Sequence, residues 1–206
     1  MLVNFDFDGV LVDSLSQLHR IAVEAAKNVG TQRQPTLDDF RTIQNLTFGA
    51  LGAALGLSPT MAEAFANDMF AQLRTAARAP QLFQGIPEVL RDLARRYKVV
   101  IITANVRSMV QNVLRNAGIL SAVGQIFDGE QEGSKAAKIR KAIEIYECVP
   151  KETFMVGDTM GDILAGRQAG VRTIAVTWGY QPEALLRKGH PDYFARSPND
   201  LLSILR

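Results

Sequence analysis

Asp6 and Asp8 stand two residues apart in Asn4-Phe5-Asp6-Phe7-Asp8-Gly9, directly after the apolar run that opens the chain. Side chains alternate along a strand, so acids at this spacing leave on the same side if the extended geometry continues through them. Two carboxylates at the end of a buried strand repel each other unless a cation or a proton lies between them. Three later stretches carry chemistry that would complete such a site: Thr103-Ala104-Asn105, Gly133-Ser134-Lys135, and Gly157-Asp158-Thr159-Met160-Gly161-Asp162. Carboxylate oxygens suit a hard cation such as Mg²⁺. A hydroxyl, an ammonium and main-chain N–H groups at helix starts suit phosphate oxygens. Brought to one place, these residues would hold Mg²⁺ and a phosphoryl group.

The elements that must position them follow from periodicity. Residues 1–5 form a short strand that ends at Asp6. From residue 98 to 102 the run Lys-Val-Val-Ile-Ile is β-branched and continuous, as in parallel strands buried on both faces, and it ends at Thr103. A weaker strand over 123–127 precedes the helix that Ser134 opens, and a strand over 153–156 ends at Gly157-Asp158. The helices between them cover 86–96, 106–117, 134–147 and 160–169, with Gly118 and Gly170 as stops. A further strand at 172–176, a helix at 182–188, a short strand at Tyr193-Phe194 and a last helix opened by Ser197-Pro198 complete the alternation. Strands separated by helices of this length require right-handed crossovers. The expected fold is therefore α/β, a doubly wound parallel Rossmann-like sheet, whose ligands bind at the carboxyl ends of the strands.

Residues 14–82 break this alternation with helical spacing alone. Leu15, Leu18, Ala22, Ala25 and Val29 make one face, closed by Gly30; Asp13 is expected to cap that helix. Thr36 and Asp39 suit a capping box. Ser58-Pro59 opens a longer helix with Met61, Phe65, Met69, Leu73 and Ala76 on one face. The domain assignment is a core of residues 1–13 and 83–206 with an inserted, all-helical block of residues 14–82.

Bulk properties narrow the function. The net charge is +2 and the basic residues are scattered, so neither nucleic acid nor a membrane surface is called for as partner. The single cysteine, Cys148, excludes an internal disulfide and suits a reducing compartment. A strand beginning at residue 2 leaves no room for a signal peptide, and no apolar run approaches the length of a membrane span. A cytoplasmic protein is expected; the oligomeric state is not readable.

The ordered set Asp-x-Asp-Gly (Asp6 to Gly9), Thr103, Lys135 and Gly-Asp-x-x-x-Asp (Gly157 to Asp162) resembles the haloacid dehalogenase superfamily of phosphohydrolases. The resemblance extends over nearly the whole chain. The helical insertion is similar to that family's cap domain, and Leu82-Phe83-Gln84-Gly85-Ile86-Pro87 and Trp178-Gly179-Tyr180 look most like its phosphoglycolate phosphatase-like branch. Two positions depart from the pattern: Ala136 follows Lys135 where proline is usual, which brings Lys138 in as an alternative lysine, and Val10 follows Gly9 where threonine is common.

The resemblance implies a phosphoric monoester hydrolase that uses Mg²⁺ and acts on a small phosphorylated metabolite, phosphoglycolate being one. Asp6 would attack phosphorus and form an aspartyl-phosphate. Asp8 would protonate the leaving oxygen and then take a proton from water. Metal ligands would come from Asp6, Asp8 through its main-chain carbonyl, and Asp158. Phosphate contacts are implied for Asp6, Gly9, Thr103, Ala104, Asn105 and Lys135, with Asp162 orienting Lys135 or a metal-bound water.

Each of these residues also has a plain structural use. Asp158 or Asp162 would cap the helix that follows, Thr103 would serve a turn, and Asn105 would cap the helix after it. Lys135 is less easily dismissed, because the first turn of a helix disfavours a cation. In the helical block, Arg41 and the bend 46–49 are the candidates to read the part of the substrate beyond phosphate, against Arg41 as a solvated helix residue. His19 and His190 lie in different elements with no ligand-spaced partner. A phosphomutase of the same fold and a phosphate-accepting regulatory or binding module are the competing functions. The large insertion and the placement of the acidic pair on the first strand argue against the module.

Overall fold

The computed structural model describes residues 1–206. Its elements in chain order are β1 (Leu2–Phe5), β2 (Val12–Asp13), α1 (Leu15–Asn28), α2 (Leu37–Thr42), α3 (Phe48–Ala54), α4 (Pro59–Thr75), β3 (Gln81–Leu82), α5 (Ile86–Ala94), β4 (Lys98–Ile102), α6 (Arg107–Asn116), β5 (Gln125–Phe127), α7 (Lys135–Ile145), β6 (Thr153–Gly157), α8 (Met160–Ala169), β7 (Arg172–Val176), α9 (Glu183–Leu186), β8 (Tyr193–Ala195) and α10 (Pro198–Ile204). Six strands form one sheet in the order β5-β4-β1-β6-β7-β8, with every pairing parallel. β1 lies centrally, and the chain's crossovers run from it toward β4 on one side and β6 on the other. The carboxyl ends of β4, β1 and β6 therefore flank the switch point at which open α/β sheets bind ligands.

Alternation along the strands explains the helices on both faces. Val3, Phe5, Val99, Ile101, Phe154 and Val156 point into one apolar layer, shared with α5, α6, α10 and the helical insertion. Leu2, Val100, Ile102 and Met155 point the other way, against Ala136, Ile139 and Ala142 of α7 and Ala165 and Ala169 of α8. A sheet covered on both sides needs apolar residues at successive positions, which is why its strands read as unbroken runs.

The insertion is helical, but its boundary is a feature the sequence does not announce. β2 and β3 pair antiparallel, Val12 with Leu82 and Asp13 with Gln81, so the two chain crossings between core and cap domain are stitched together. Two-residue strands carry no alternation to detect. Asp13, expected to cap α1, lies in this ribbon instead, and the N-cap position is Ser14, whose side chain makes no bond to the helix. The capping box of Thr36 and Asp39 forms as expected, and Ser58 accepts from the N–H of Met61 to open α4. That start sets the phase of α4: Ala62, Phe65, Met69 and Leu73 are buried, whereas Met61, expected inward, is 38% exposed.

The helical insertion packs over the sheet's carboxyl edge. Gln181 donates from Nε2 to the carbonyl of Ile43 at 2.9 Å and accepts from the N–H of Met160 at 2.7 Å. On the other flank, Arg74 of α4 pairs with Glu130.

Candidate active site

The chain stops being extended at Asp6. The Asp6 N–H still completes the sheet, donating to Val156 at 2.9 Å, but the N–H groups of Leu11 and Val12 then both bond the carbonyl of Phe7, and that of Gly9 bonds Val12 at 2.9 Å. This tight loop replaces the strand between Asp6 and β2. Extended geometry ends between them, and although both acids line one chamber their carboxylates keep different partners. Gly9 is required by the turn. Its φ is +76°, and a Cβ there would lie 2.0 Å from Asp158 Oδ2.

Asp6, Asp158 and Asp162 form the acidic cluster, each offering one carboxylate oxygen within 4.8 Å of the other two. Asp6 Oδ1 accepts from the N–H of Phe7 at 2.8 Å, and Oδ2 faces Lys135 Nζ at 3.2 Å. Lys135 also bonds Asp162 Oδ1. Asp162 Oδ2 meanwhile accepts from the N–H and hydroxyl of Thr159 at 3.0 and 2.7 Å, so this residue caps α8 and holds the lysine at once. Asp158 is fully buried. Its Oδ2 accepts from the N–H of Tyr180 at 2.7 Å, while Oδ1 has no hydrogen-bond partner.

The electrostatics follow from three buried acids sharing one ammonium. Burial pushes the Asp6 carboxyl up to about 7; Lys135 opposes this, and Asp162 and Asp8 reinforce it. Burial, with Asp162 and Asp6 nearby, holds Asp158 well above the ordinary range. Burial disfavours charge on Lys135, but Asp162 and Asp6 together outweigh it and hold the ammonium above its usual range. An unpartnered buried carboxylate oxygen costs free energy wherever no cation meets it. The all-oxygen donor set and the surplus of negative charge fit a hard divalent cation.

Asp8 has a separate setting. Ser14 donates to its Oδ1 at 2.6 Å, and Asn105 Nδ2 lies 3.2 and 3.0 Å from Oδ1 and Oδ2. Burial raises the Asp8 carboxyl, with Ser14 and Asn105 working against the shift. Asn105 accepts from the N–H of Val106, but the N-cap position of α6 falls on Val106 itself, so the helix-capping use expected for Asn105 gives way to holding Asp8. The Thr103 hydroxyl accepts from the N–H of Asn105 at 2.9 Å.

Between these groups and the helical insertion lies a chamber of about 40 Å³ lined by Asp6, Asp8, Thr103, Ala104, Lys135, Thr159, Asp162 and Tyr180 from the core. From the cap domain come Leu18, Phe40, Asn45, Leu46 and Phe48. A recess of about 320 Å³ adjoins it, sharing Thr103, Ala104 and Lys135 and reaching Ser134 and Lys138. Of the residues singled out from sequence, Gly9, Asn105 and Asp158 stand outside the chamber lining. Lys138 Nζ is turned to the carbonyl of Asp128 at 2.7 Å, which leaves Lys135 as the lysine beside Asp6. Arg41 pairs with Asp38 on the surface and takes no part in the chamber, whereas the bend that includes Leu46 and Phe48 does. His19 bonds the carbonyl of Pro35 at 3.0 Å, a packing role. Sequence reasoning missed Ser14 and Tyr180 as site residues; the Trp178-Gly179-Tyr180 stretch was the only local sign of the second.

Comparison with known proteins agrees with this geometry. The family model for haloacid dehalogenase-like hydrolases matches residues 3–176. A phosphoglycolate phosphatase from Synechococcus elongatus is 30% identical over 201 residues, spanning 96% of this chain and 93% of the relative. A pyrophosphatase from Bacillus mycoides is 34% identical over 131 residues, 60% of this chain and 59% of its own length. Among solved structures, a haloacid dehalogenase-like hydrolase from Streptococcus pneumoniae superposes with a TM-score of 0.83 at 27% identity, covering 100% of this chain and 98% of that one. No helix is long and apolar enough to cross a membrane. A family match over most of the chain, a relative at 30% identity across nearly all of it and the shared fold make this protein a haloacid dehalogenase-like hydrolase, a phosphatase of the phosphoglycolate phosphatase-like branch.

Proposed function

We propose that the protein is a Mg²⁺-dependent phosphatase that hydrolyses a small phosphorylated metabolite through an aspartyl-phosphate on Asp6. The observation that carries this reading is the convergence of Asp6, Asp158, Asp162 and Lys135 at the carboxyl ends of adjacent strands, with Asp158 Oδ1 buried and unpartnered. Asp6, Asp158 and the main-chain carbonyl of Asp8 would hold the ion, with Asp162 close by. When bound, Mg²⁺ supplies positive charge against the repulsion between a carboxylate and a phosphate dianion.

The chain's own residues then divide the reaction. Asp6 attacks phosphorus as nucleophile, which splits a slow hydrolysis into two easier steps. Lys135 and Thr103 hold the non-bridging oxygens, where charge must be stabilised as the bond to the leaving group breaks. Asp8 gives its proton to the departing oxygen and afterwards takes one from the water that releases phosphate from Asp6. A carboxyl raised by burial suits that double use, since it must carry a proton in one step and release it in the next. The cap domain covers the chamber and keeps water from competing.

The cap-domain lining is apolar apart from Asn45 and contains no cation. A small leaving group fits that surface, and phosphoglycolate and pyrophosphate, named in the relatives, are the first compounds to assay. The test is phosphate release from para-nitrophenyl phosphate and then from a metabolite panel. Turnover that requires Mg²⁺, stops with chelator and is lost in Asp6→Asn is the expected result. Wild-type turnover in Asp6→Asn would overturn the nucleophile assignment.

A further inference from the structure

Resting on the reading of Asp8 as the proton donor, we propose that Ser14 and Tyr180 are positioning residues that hold the Asp8 carboxyl on the leaving-group side of the chamber. Ser14 Oγ lies 2.6 Å from Asp8 Oδ1 and 2.7 Å from Tyr180 Oη. A serine hydroxyl has one proton. Ser14 donates it to Asp8, so Tyr180 is the donor to Ser14. The direction of the chain is thereby set: tyrosine to serine to carboxyl. Oδ1 receives both Ser14 and Asn105, whereas Oδ2 has Asn105 at 3.0 Å and no bond from Ser14, so Ser14 grips one oxygen and leaves the other to exchange a proton.

Two further observations separate this from ordinary packing. Ser14 occupies the N-cap position of α1, where a serine oxygen ordinarily accepts an N–H of the first turn, yet it makes no such bond. Its hydroxyl is diverted to Asp8. Tyr180 also ties the other half of the site, its main-chain N–H bonding Asp158 Oδ2 at 2.7 Å. That approach depends on Gly179, where a Cβ would lie 2.2 Å from Asp158 Cβ. One residue thus bonds Asp158 by its backbone and, through Ser14, reaches Asp8 by its phenol, across 166 residues of chain from Ser14.

The test compares two esters on Ser14→Ala and Tyr180→Phe, with Mg²⁺ present. Ethyl phosphate needs a proton on its departing oxygen; para-nitrophenyl phosphate leaves as a stable anion and needs little help. The expected result is a fall in kcat/KM on the order of 10- to 100-fold for ethyl phosphate, with a much smaller fall for the aryl ester. Ser14→Thr, which keeps the hydroxyl, should restore the ratio. Because the ratio is taken within one variant, partial misfolding cancels. Equal losses on both esters, or none, would overturn the proposal. Asp8→Asn separates the levels: a uniform loss there overturns the reading of Asp8 itself. A selective loss in Asp8→Asn without one in Ser14→Ala and Tyr180→Phe overturns the positioning role alone.

Discussion

Metal-free protein should lose stability as pH rises through the acid side of neutrality, and Asp6 is the residue through which to measure it. Its carboxyl stands at about 7 in the folded chain against 3.8 for an ordinary aspartate, chiefly through burial, with Asp162 and Asp8 adding to it. The folded state therefore holds the Asp6 proton more tightly than the unfolded state does. Between about pH 4 and about pH 7 the folded form binds more protons, so the slope of unfolding free energy with pH is negative. At roughly 1.4 kcal/mol per unit of pKa difference, the full interval is worth roughly 4 kcal/mol, a ceiling for one group in a coupled cluster. Asp8 and Asp158 are raised as well, so the raw curve contains their contributions too. The informative quantity is the difference between wild type and Asp6→Asn, which lacks the titration but keeps the shape. Urea unfolding in chelator across this range should show Asp6→Asn gaining on wild type by a few kcal/mol as pH rises. Adding Mg²⁺ near neutral pH should return much of the loss to wild type, because ligand binding to the folded state stabilises it by mass action, and less of it to Asp6→Asn. A wild-type minus variant difference that is flat, or that moves in favour of wild type with rising pH, would refute the electrostatic account of the cluster.

Two other perturbations bear on the same architecture. Gly9→Ala places a side chain at φ +76° and against the Asp158 carboxylate; it should cost at least about 1 kcal/mol from backbone strain alone and weaken Mg²⁺ binding measured by calorimetry, whereas an unchanged affinity would mean that the loop does not set the position of Asp158. Leu46→Lys introduces a cation into the cap-domain lining and should raise kcat/KM for phosphoglycolate relative to ethyl phosphate by about tenfold, the modest part of a Coulomb attraction that survives solvent screening; no change in that ratio would mean that the leaving group does not meet Leu46.

The sheet was legible because its signals are local and redundant. Residues 99–102 and 173–176 are unbroken β-branched or apolar runs, and α8 ends at Gly170 with positive φ, where the pattern placed its stop. The acidic residues were legible for a different reason: each follows a strand whose end could be read, and parallel topology brings such ends together. What escaped was nonlocal. Nothing near Ser14 or near Tyr180 announces a partner on the far side of the chain. The loop that follows Asp6 escaped because it is closed by main-chain bonds from Leu11 and Val12 to Phe7, and the side chains say little about it beyond Gly9. The lining of the chamber was hidden in plain view. Leu18, Phe40 and Phe48 belong to the same apolar cluster as the cap-domain core, and helical spacing gives identical marks to a face that meets other helices and a face that meets substrate.

The topology also explains why the opening acidic pair is asymmetric. Asp6 continues β1, its N–H bonded to Val156 of β6, so its position belongs to the sheet and moves only if the core moves. Asp8 lies beyond the last sheet bond, in the loop that leads to the ribbon of β2 and β3, and it is gripped from two sides, by Asn105 after β4 and by Ser14, the residue between β2 and α1. A swing of the cap domain about that ribbon would carry α1 with it and disturb the Ser14 contact before it reached Asp6. Inserting the helical block immediately after the acidic pair therefore ties Asp6, the proposed nucleophile, to the sheet, and leaves Asp8, the proposed proton donor, held jointly by the core through Asn105 and by the start of the insertion through Ser14. Protonation of a leaving group in a chamber open to water would waste the acid, and this connectivity makes the alignment of Asp8 depend in part on the segment that covers the chamber.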